Sequence, residues 1–217
     1  MSLTFSPGGW IDLSVPIHPG MATWPDNRGV EITKDQCLAH GDVCSVSKLV
    51  LGAHSGTHTD GPNHFIRDSE GVDAMPLDLM VGRARVIEIE DPVQITRKEI
   101  ESKQISAGDR LLFRTQNSRE RFLETDEFKK DFVHIGECAA EWLAEKKVGL
   151  VGVDYLSVGG FEGNVIEVHR HLLGGGIWCV EGLNLADLPE GECEFLALPL
   201  RIEGCDAGLT RAIARPL

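Results

Sequence analysis

Residues 51–65 read Leu-Gly-Ala-His54-Ser-Gly-Thr-His58-Thr-Asp60-Gly-Pro62-Asn-His64-Phe. Three of the eight histidines and one carboxylate fall within this segment, which has no other charged side chain. Glycine and proline disfavour a helix here, so we expect an extended or mildly bent chain. Alternate side chains of an extended chain share a face, and His54, His58 and Asp60 have the same parity. The pattern therefore predicts that these three side chains converge.

Two imidazoles and a carboxylate are suited to a borderline divalent metal such as zinc. A single histidine in a strand is more often a surface residue or a hydrogen-bonded core residue. A compact cluster is harder to explain in that way, because imidazoles crowded together without a cation stabilise nothing evident. The Gly61-Pro62 turn redirects the chain, so His64 is expected to return nearby without necessarily joining the ligands. We predict a metal site in this segment.

A second titratable group is His169, in the run Val-His-Arg-His-Leu-Leu over residues 168–173, followed later by Glu181. In a helix over Val165–Leu173, His169 falls on the apolar face, where an imidazole needs a partner. Glu181 ends the apolar run Ile177–Val180, and a carboxylate at a buried strand end is unusual unless it is paired or metal-bound. Taken alone, each residue is more often structural. Together with the first cluster, they could complete a two-metal shell.

The composition excludes several classes of protein. The 217 residues carry a net charge of −13, with 42% hydrophobic and 25% charged residues, close to a globular average. Excess negative charge repels a phosphate backbone, so nucleic acid is not expected as a partner. Apolar runs such as Leu196–Leu200 are far shorter than the roughly 20 residues that span a bilayer, so no membrane partner is expected. Met1–Ser6 lacks the pattern of a signal peptide, which predicts a cytoplasmic protein.

The six cysteines show no Cys-x-x-Cys spacing, which argues against a zinc ribbon or a thioredoxin-type motif. We expect them to be ordinary buried thiols in a reducing compartment. No repeat or linker divides the chain, so its length predicts a single domain over residues 1–217.

Hydrophobic periodicity predicts many short strands and three helices. The predicted strands are Trp10–Ile17, Val30–Thr33, Val43–Leu51, Ala84–Ile89, Arg110–Arg114, Val148–Asp154, Ile177–Val180, Cys193–Leu198 and Leu209–Ala214. The predicted helices are Arg97–Lys103 with Thr96 as its N-cap, Glu137–Lys147, and Val165–Leu173, which stops at a run of three glycines. The pattern favours an α/β or α+β fold and leaves the strand order open.

The segment His54–Phe65 resembles the His-x-Gly-Thr-His-x-Asp-x-Pro-x-His signature of the metal-dependent cyclase family. That family includes bacterial kynurenine formamidases (arylformamidases) and isatin hydrolases. The first motif is highly specific, and weaker similarity extends over most of the chain. The supporting segments are Trp10–Ser14, residues 19–25, Gly152–Asp154 and residues 169–185.

The resemblance implies an α/β, single-domain, mixed β/β/α cyclase-like fold, an intracellular life and assembly as a homodimer or tetramer. It implies that His54 and His58 bind one metal ion and that Asp60 bridges to a second. His169 would bind the second ion, and Glu181 would contact one or both.

The resemblance also implies that His64 is the general acid/base and that Trp24 walls the substrate pocket. Isatin hydrolases are similar in the first motif but bind a single manganese ion and differ at the position of Glu181. Glu181 therefore favours a formamidase-like site with one or two zinc ions (Zn²⁺), with manganese (Mn²⁺) as the alternative. Kynurenine formamidases carry a pair of histidines at position 169, and this chain departs from that pattern.

The implied reaction is the hydrolysis of a small-molecule amide, N-formylkynurenine and water giving kynurenine and formate, in tryptophan catabolism. Three alternatives remain open: opening of another cyclic amide or acyl substrate such as isatin, a cyclisation step, and non-catalytic binding of a small aromatic ligand by a metal-containing protein. Catalytic zinc keeps an open coordination position, whereas structural zinc does not. A serine hydrolase is not expected, because Ser55 and Ser157 lack a Gly-x-Ser-x-Gly elbow.

Overall fold

The structure, a computed structural model, describes residues 9–217, so the prediction made on Met1–Ser6 lies outside the described residues. The strands are β1 (Ile11–Asp12), β2 (Glu31–Gln36), β3 (Val46–Val50), β4 (His58–Asp60), β5 (Val81–Glu88), β6 (Gln94–Ile95), β7 (Arg110–Arg114), β8 (His134–Ile135), β9 (Leu150–Val153), β10 (Trp178–Glu181), β11 (Gly191–Pro199) and β12 (Ala207–Pro216). The helices are α1 (Leu77–Met80), α2 (Arg97–Ile100), α3 (Gln116–Arg119), α4 (Glu137–Glu145) and α5 (Val165–Gly174). Short 3₁₀ turns lie at Leu38–His40, Pro62–His64, Val72–Ala74 and Phe122–Glu124. Over residues 9–217, no helix is both long enough and apolar enough to cross a membrane.

One large mixed sheet organises the molecule, in the order β1-β12-β11-β5-β7-β9-β10-β4. Strand β4 also pairs with β12, so seven of the strands close into a ring and β1 lies at its margin. Strands β5, β7, β9 and β10 run parallel to one another, and the other pairs of this sheet are antiparallel. Strands β2 and β3 form a separate hairpin, and β6 pairs with β8. The mixed α/β fold predicted from the sequence is confirmed.

The two faces of the ring carry different apolar clusters, because successive side chains of a strand point to opposite faces. On β7, Leu112 belongs to the inner cluster, which also contains Val180 and Phe195. Its neighbours Leu111 and Phe113 belong to the outer cluster, which packs beneath α2, α4 and α5. Helices α2, α4 and α5 therefore cover one side of the sheet, and that side also carries the candidate site.

Strand β4 is only three residues long and is held by partners on both edges. His58 lies opposite Glu181 of β10, and Asp60 lies opposite Cys179. Residues that face each other in an antiparallel pair share a face of the sheet. Because Cys179 belongs to the outer cluster, the side chains of His58, Asp60 and Glu181 all point towards the helix layer.

Some predicted elements are shorter than expected. The strand predicted at Trp10–Ile17 covers only Ile11–Asp12, because the Asp12 carboxylate accepts a hydrogen bond from the Ser14 amide at 3.1 Å and bends the chain. The helix predicted to reach Lys103 ends at Ile100, although Thr96 caps it by accepting the Glu99 amide at 3.3 Å. Helices α4 and α5 form where they were predicted, within two residues at each end.

All six cysteines are free thiols. Cys179 and Cys193 are buried, as predicted. The prediction is wrong for Cys44 and Cys138, which are exposed. Cys138 lies on the solvent side of α4, next to the buried Ala139, so its apolar neighbours in sequence do not cover it.

Candidate metal centre

His58 and Glu181 meet directly across the β4–β10 pair. His58 Nδ1 donates a hydrogen bond to the Gly56 carbonyl at 2.9 Å, so in the neutral ring Nε2 is the nitrogen with the free lone pair. That Nε2 lies 3.1 Å from Glu181 Oε2 and 3.5 Å from Asp60 Oδ1. A bare imidazole nitrogen and two carboxylates thus face one another in the interior of the protein.

Helix α5 brings the third imidazole to the same point. His169 Nδ1 donates to the Val165 carbonyl at 2.6 Å, one turn earlier, and its ring stacks on Phe65 with centroids 4.2 Å apart. His169 Nε2 lies 3.4 Å from Glu181 Oε1 and 3.6 Å from Asp60 Oδ2. The apolar helix face predicted for His169 therefore places it against the two carboxylates.

His54 reaches the cluster by a different route from the one expected. Only residues 58–60 of the motif are extended, whereas residues 53–57 turn, with Gly56 at a φ of +62°. A positive φ is favourable for glycine because it has no Cβ. The alternation argument is therefore wrong for His54, although its Nδ1 still lies 3.1 Å from Asp60 Oδ1. Its Nε2 lies 2.8 Å from Asp206 Oδ2.

His64 returns to the cluster through the 3₁₀ turn at Pro62–His64, as predicted. Its ring centroid lies 4.1 Å from that of His54 and 5.5 Å from that of His169. Its Nδ1 lies 3.9 Å from Asp206 Oδ2, too far for a direct hydrogen bond. The ring therefore lies beside the cluster and faces the cavity.

Burial and the carboxylates move the pKa values of these imidazoles in opposite directions. Burial lowers the pKa of His64 from 6.5 to about 4, against a smaller opposing effect of Asp60. Burial also lowers the pKa of His54, but the nearby carboxylates of Asp60 and then Asp206 outweigh this effect and raise the pKa to about 9. Burial likewise opposes the charge on Glu181, yet the neighbouring imidazoles of His169 and His58 hold its pKa well below the usual range.

The donor atoms of the cluster fit a divalent cation. His58 Nε2 and both carboxylate oxygens of Asp60 are buried and make no hydrogen bond with any residue of the described range. Unpaired buried polar atoms are costly, and a cation between them would satisfy all three. Ligand atoms of His58, Asp60 and Glu181 lie within 4.8 Å of one another, and so do those of His54, Asp60 and His64. Since Asp60 belongs to both groups, the set has room for one or two ions.

A cavity of about 300 Å³ opens beside this cluster. Trp24, Phe65 and Leu156 supply apolar wall, while His54 and His64 face the same space. The Trp24 ring is held edge-on by Phe128 and Phe161, with centroids 5.4 and 5.2 Å away. Trp24 therefore forms a well-packed aromatic wall of the cavity, next to the candidate ligands.

Two further carboxylates, those of Asp206 and Asp154, have distinct surroundings. Asp206 was not among the residues predicted from the sequence, where its one local signal is its place between a glycine turn and the apolar strand β12. Asp154 caps the segment after β7 by accepting hydrogen bonds from Thr115, Asn117 and Ser118. Asp154 is therefore a structural residue at a strand end.

Both the sequence and the fold of this chain are similar to those of known proteins. Residues 11–159 match the Cyclase family model, described as "Putative cyclase". Kynurenine formamidase of Bacillus cereus is 32% identical over 208 residues, which are 96% of this chain and 98% of that protein. The "predicted metal-dependent hydrolase" of Bacillus stearothermophilus has a TM-score of 0.82 at 29% identity, covering 94% and 97% of the two chains. Isatin hydrolase A from Labrenzia aggregata, at 22% identity, shares the fold with a TM-score of 0.82 over 95% of this chain and 93% of its own.

The closed mixed sheet, with imidazoles and carboxylates gathered beneath its helix layer, defines a metal-dependent hydrolase. Within that class, the chain belongs to the cyclase family.

Proposed function

We propose that this protein hydrolyses N-formyl aryl amides in a metal-dependent reaction, with N-formylkynurenine as the first candidate substrate and kynurenine and formate as products. The observation that carries this proposal is the set of unpaired buried donor atoms at His58 and Asp60, beside an aromatic-walled cavity. The 32% sequence identity with kynurenine formamidase of Bacillus cereus, over nearly the whole length of both chains, supports the choice of substrate.

The proposed metal ligands are His54, His58, Asp60, His169 and Glu181. When bound, a divalent metal lowers the pKa of water to about 7 and polarises a carbonyl oxygen. Asp60 faces all three imidazoles, within 3.6 Å of each, so it is the residue suited to bridge two ions. Glu181 is anchored through Oε1 by the Val158 amide at 2.7 Å, which fixes the direction of the carboxylate.

His64 is the proposed general acid/base. With a pKa near 4 its ring is neutral at pH 7, so it can take a proton from the attacking water. As the water oxygen bonds to the formyl carbon and the carbon–nitrogen bond breaks, the same ring returns the proton to the departing aniline nitrogen. The products are the free arylamine and formic acid, which releases one proton to solvent to become formate, so atoms and charges balance.

Trp24 is the proposed substrate-binding residue. Its ring borders the cavity that also contains His64, and Phe128 and Phe161 hold it in place. An aromatic wall of this kind favours an aryl substrate, because stacked or edge-on rings stabilise each other by about 0.5–1.5 kcal/mol.

The metal is proposed to be zinc, as one or two ions, with manganese as the alternative. Imidazole and carboxylate donors suit zinc, and they also accept manganese. The protein is proposed to act in the cytoplasm, which its six free thiols support. Assembly as a homodimer or tetramer is proposed from the resemblance to the family.

The test is to measure the metal content of the purified protein and then assay N-formylkynurenine and isatin with that metal restored. Turnover of N-formylkynurenine that disappears in Asp60→Asn, together with the bound metal, is the expected result. Turnover of isatin alone would assign the protein to lactam opening. A folded protein that takes up no metal and hydrolyses neither compound would contradict the proposal.

A further inference from the structure

Two imidazoles of the proposed centre, those of His58 and His169, are fixed through the ring nitrogen that faces away from Asp60 and Glu181. For His58 the fixing group is the Gly56 carbonyl at 2.9 Å, and for His169 it is the Val165 carbonyl at 2.6 Å. Both acceptors are neutral backbone groups within four residues of the histidine. Such an acceptor selects one tautomer and one ring orientation, so that the other nitrogen is free to bind a cation.

His54 uses a different kind of acceptor. Its Nε2 lies 2.8 Å from the Asp206 carboxylate, across 152 residues of sequence, while its Nδ1 faces Asp60 at 3.1 Å. The residues around His54 form a turn, so no helix or strand orients this ring. Asp206 is the one hydrogen-bond partner of Nε2 within residues 9–217.

Asp206 is itself held in place by the sheet. Its backbone carbonyl accepts the Gly61 amide at 2.8 Å, and the next residue, Ala207, lies opposite Asp60 in the β12–β4 pair. The position of the Asp206 carboxylate is therefore fixed relative to β4, the strand that carries Asp60. Its side chain is half exposed, so it does not belong to the buried ligand cluster.

We propose that Asp206 is a positioning residue of the metal centre, accepting the Nε2 proton of His54 and so presenting the Nδ1 lone pair to the cation held by Asp60. The inference rests on the proposed function, because it requires a cation at this cluster. It adds a residue outside the proposed ligand set and outside the motif. Removal of an outer partner of this kind lowers metal affinity by roughly 10–100-fold.

The test compares Asp206→Ala and Asp206→Asn with the matched control Glu203→Ala, which removes an exposed acid three residues earlier. Zinc affinity is measured by competition with a chromophoric chelator. The tautomer of His54 is read by ¹⁵N NMR in the zinc-loaded proteins. We expect Asp206→Ala to bind zinc about 10–100-fold more weakly and to lose the single Nε2-protonated form of His54. Asp206→Asn keeps an acceptor oxygen and should recover most of the affinity, and Glu203→Ala should match the wild type.

Unchanged zinc affinity and an unchanged His54 tautomer in Asp206→Ala would overturn the inference while leaving the proposed function intact. Equal losses in Glu203→Ala would also overturn it, because they would show a general effect of charge. If Asp206→Ala does not fold, the tautomer of His54 in Asp206→Asn decides, since an Nδ1-protonated ring there contradicts the role. A wild-type protein that takes up no metal would overturn both the inference and the proposed function.

Discussion

At the scale of single residues, two neighbouring histidines are given opposite properties by their surroundings. His54 and His64 have ring centroids only 4.1 Å apart, yet the pKa of one rises to about 9 and that of the other falls to about 4. The difference arises because His54 lies between the Asp60 and Asp206 carboxylates, whereas burial dominates at His64. The environment of His54 thus favours positive charge between the two carboxylates, and that of His64 favours a neutral ring at pH 7.

Replacement of His64 tests this division of roles. We expect His64→Ala to keep its metal content and to lose about 10²–10⁴-fold in kcat, which is the usual contribution of a positioned acid/base group. His171 is a partly exposed histidine on α5, so His171→Ala is the control and should keep wild-type kcat. Loss of metal from His64→Ala would show that His64 is a ligand, as its proximity to His54 and Asp60 allows.

The raised pKa of His54 predicts a pH-dependent stability for protein stripped of metal by a chelator. The folded state holds the proton more tightly than the unfolded state, so this stabilisation is complete below pH 6.5 and is lost as the pH rises through 9. The loss is on the order of 3 kcal/mol. Urea unfolding at pH 6 and pH 9.5 measures it, and His54→Gln should show a smaller difference between the two pH values. Equal differences in both proteins would contradict the assignment.

At the scale of elements, the site depends on a close approach between the turn before β4 and the end of β10. Thr57 Oγ1 donates to the Gly182 carbonyl at 2.6 Å and accepts the Val15 amide at 3.0 Å, so one side chain joins three segments. Gly182 has a φ of +70°, and a Cβ there would lie 2.3 Å from the Gly56 carbonyl oxygen. Glycine is therefore required directly after Glu181 both by conformation and by space.

Gly182→Ala is expected to lower the free energy of unfolding by about 2 kcal/mol or more, because it adds backbone strain and a clash between two main chains. It should also weaken metal binding, since the displaced segment carries Glu181. Gly163→Ala is the control, because a Cβ at Gly163 meets open space and should leave both quantities near wild type. Chemical denaturation and chelator competition measure the two effects. Similar stability of the two variants would refute the packing argument.

At the scale of the whole molecule, the proposed centre joins parts of the chain that are far apart in sequence. Asp60 of β4, His169 of α5 and Glu181 of β10 meet beneath the helix layer, so a bound cation would stabilise their packing. Because the unfolded chain cannot assemble this set, binding shifts the folding equilibrium towards the native state.

Removal of metal should therefore lower Tm. At a free metal concentration of 100 times Kd, binding stabilises the folded state by about 2.7 kcal/mol. For a chain of this length, that corresponds to a fall in Tm of roughly 5–10 °C on chelation. Calorimetry with and without chelator, followed by zinc addition, measures the effect. Asp60→Asn should give the same Tm under both conditions, and a wild-type Tm that does not respond to chelator would contradict a resident metal.

The sequence by itself determined the chemistry of the motif and the positions of the helices that short-range patterns specify. Residues 54–64 contain both kinds of proposed ligand, imidazole and carboxylate, close together in the sequence. The amphipathic patterns of α4 and α5 determine where these two helices form. The burial of Glu181 at a strand end follows from the apolar run before it. These features depend on neighbours a few residues away, which a single sequence displays.

Only the tertiary structure decided the closure of the ring, the turn that carries His54, and the presence of Asp206 beside it. Strand β4 has three residues and no apolar side chain, so it is a strand because β10 and β12 pair with its two edges. The partnership of His54 with Asp206 spans 152 residues and depends on the register of that pairing. Long-range strand register is set by the packing of the complete sheet, and no local pattern of residues encodes it.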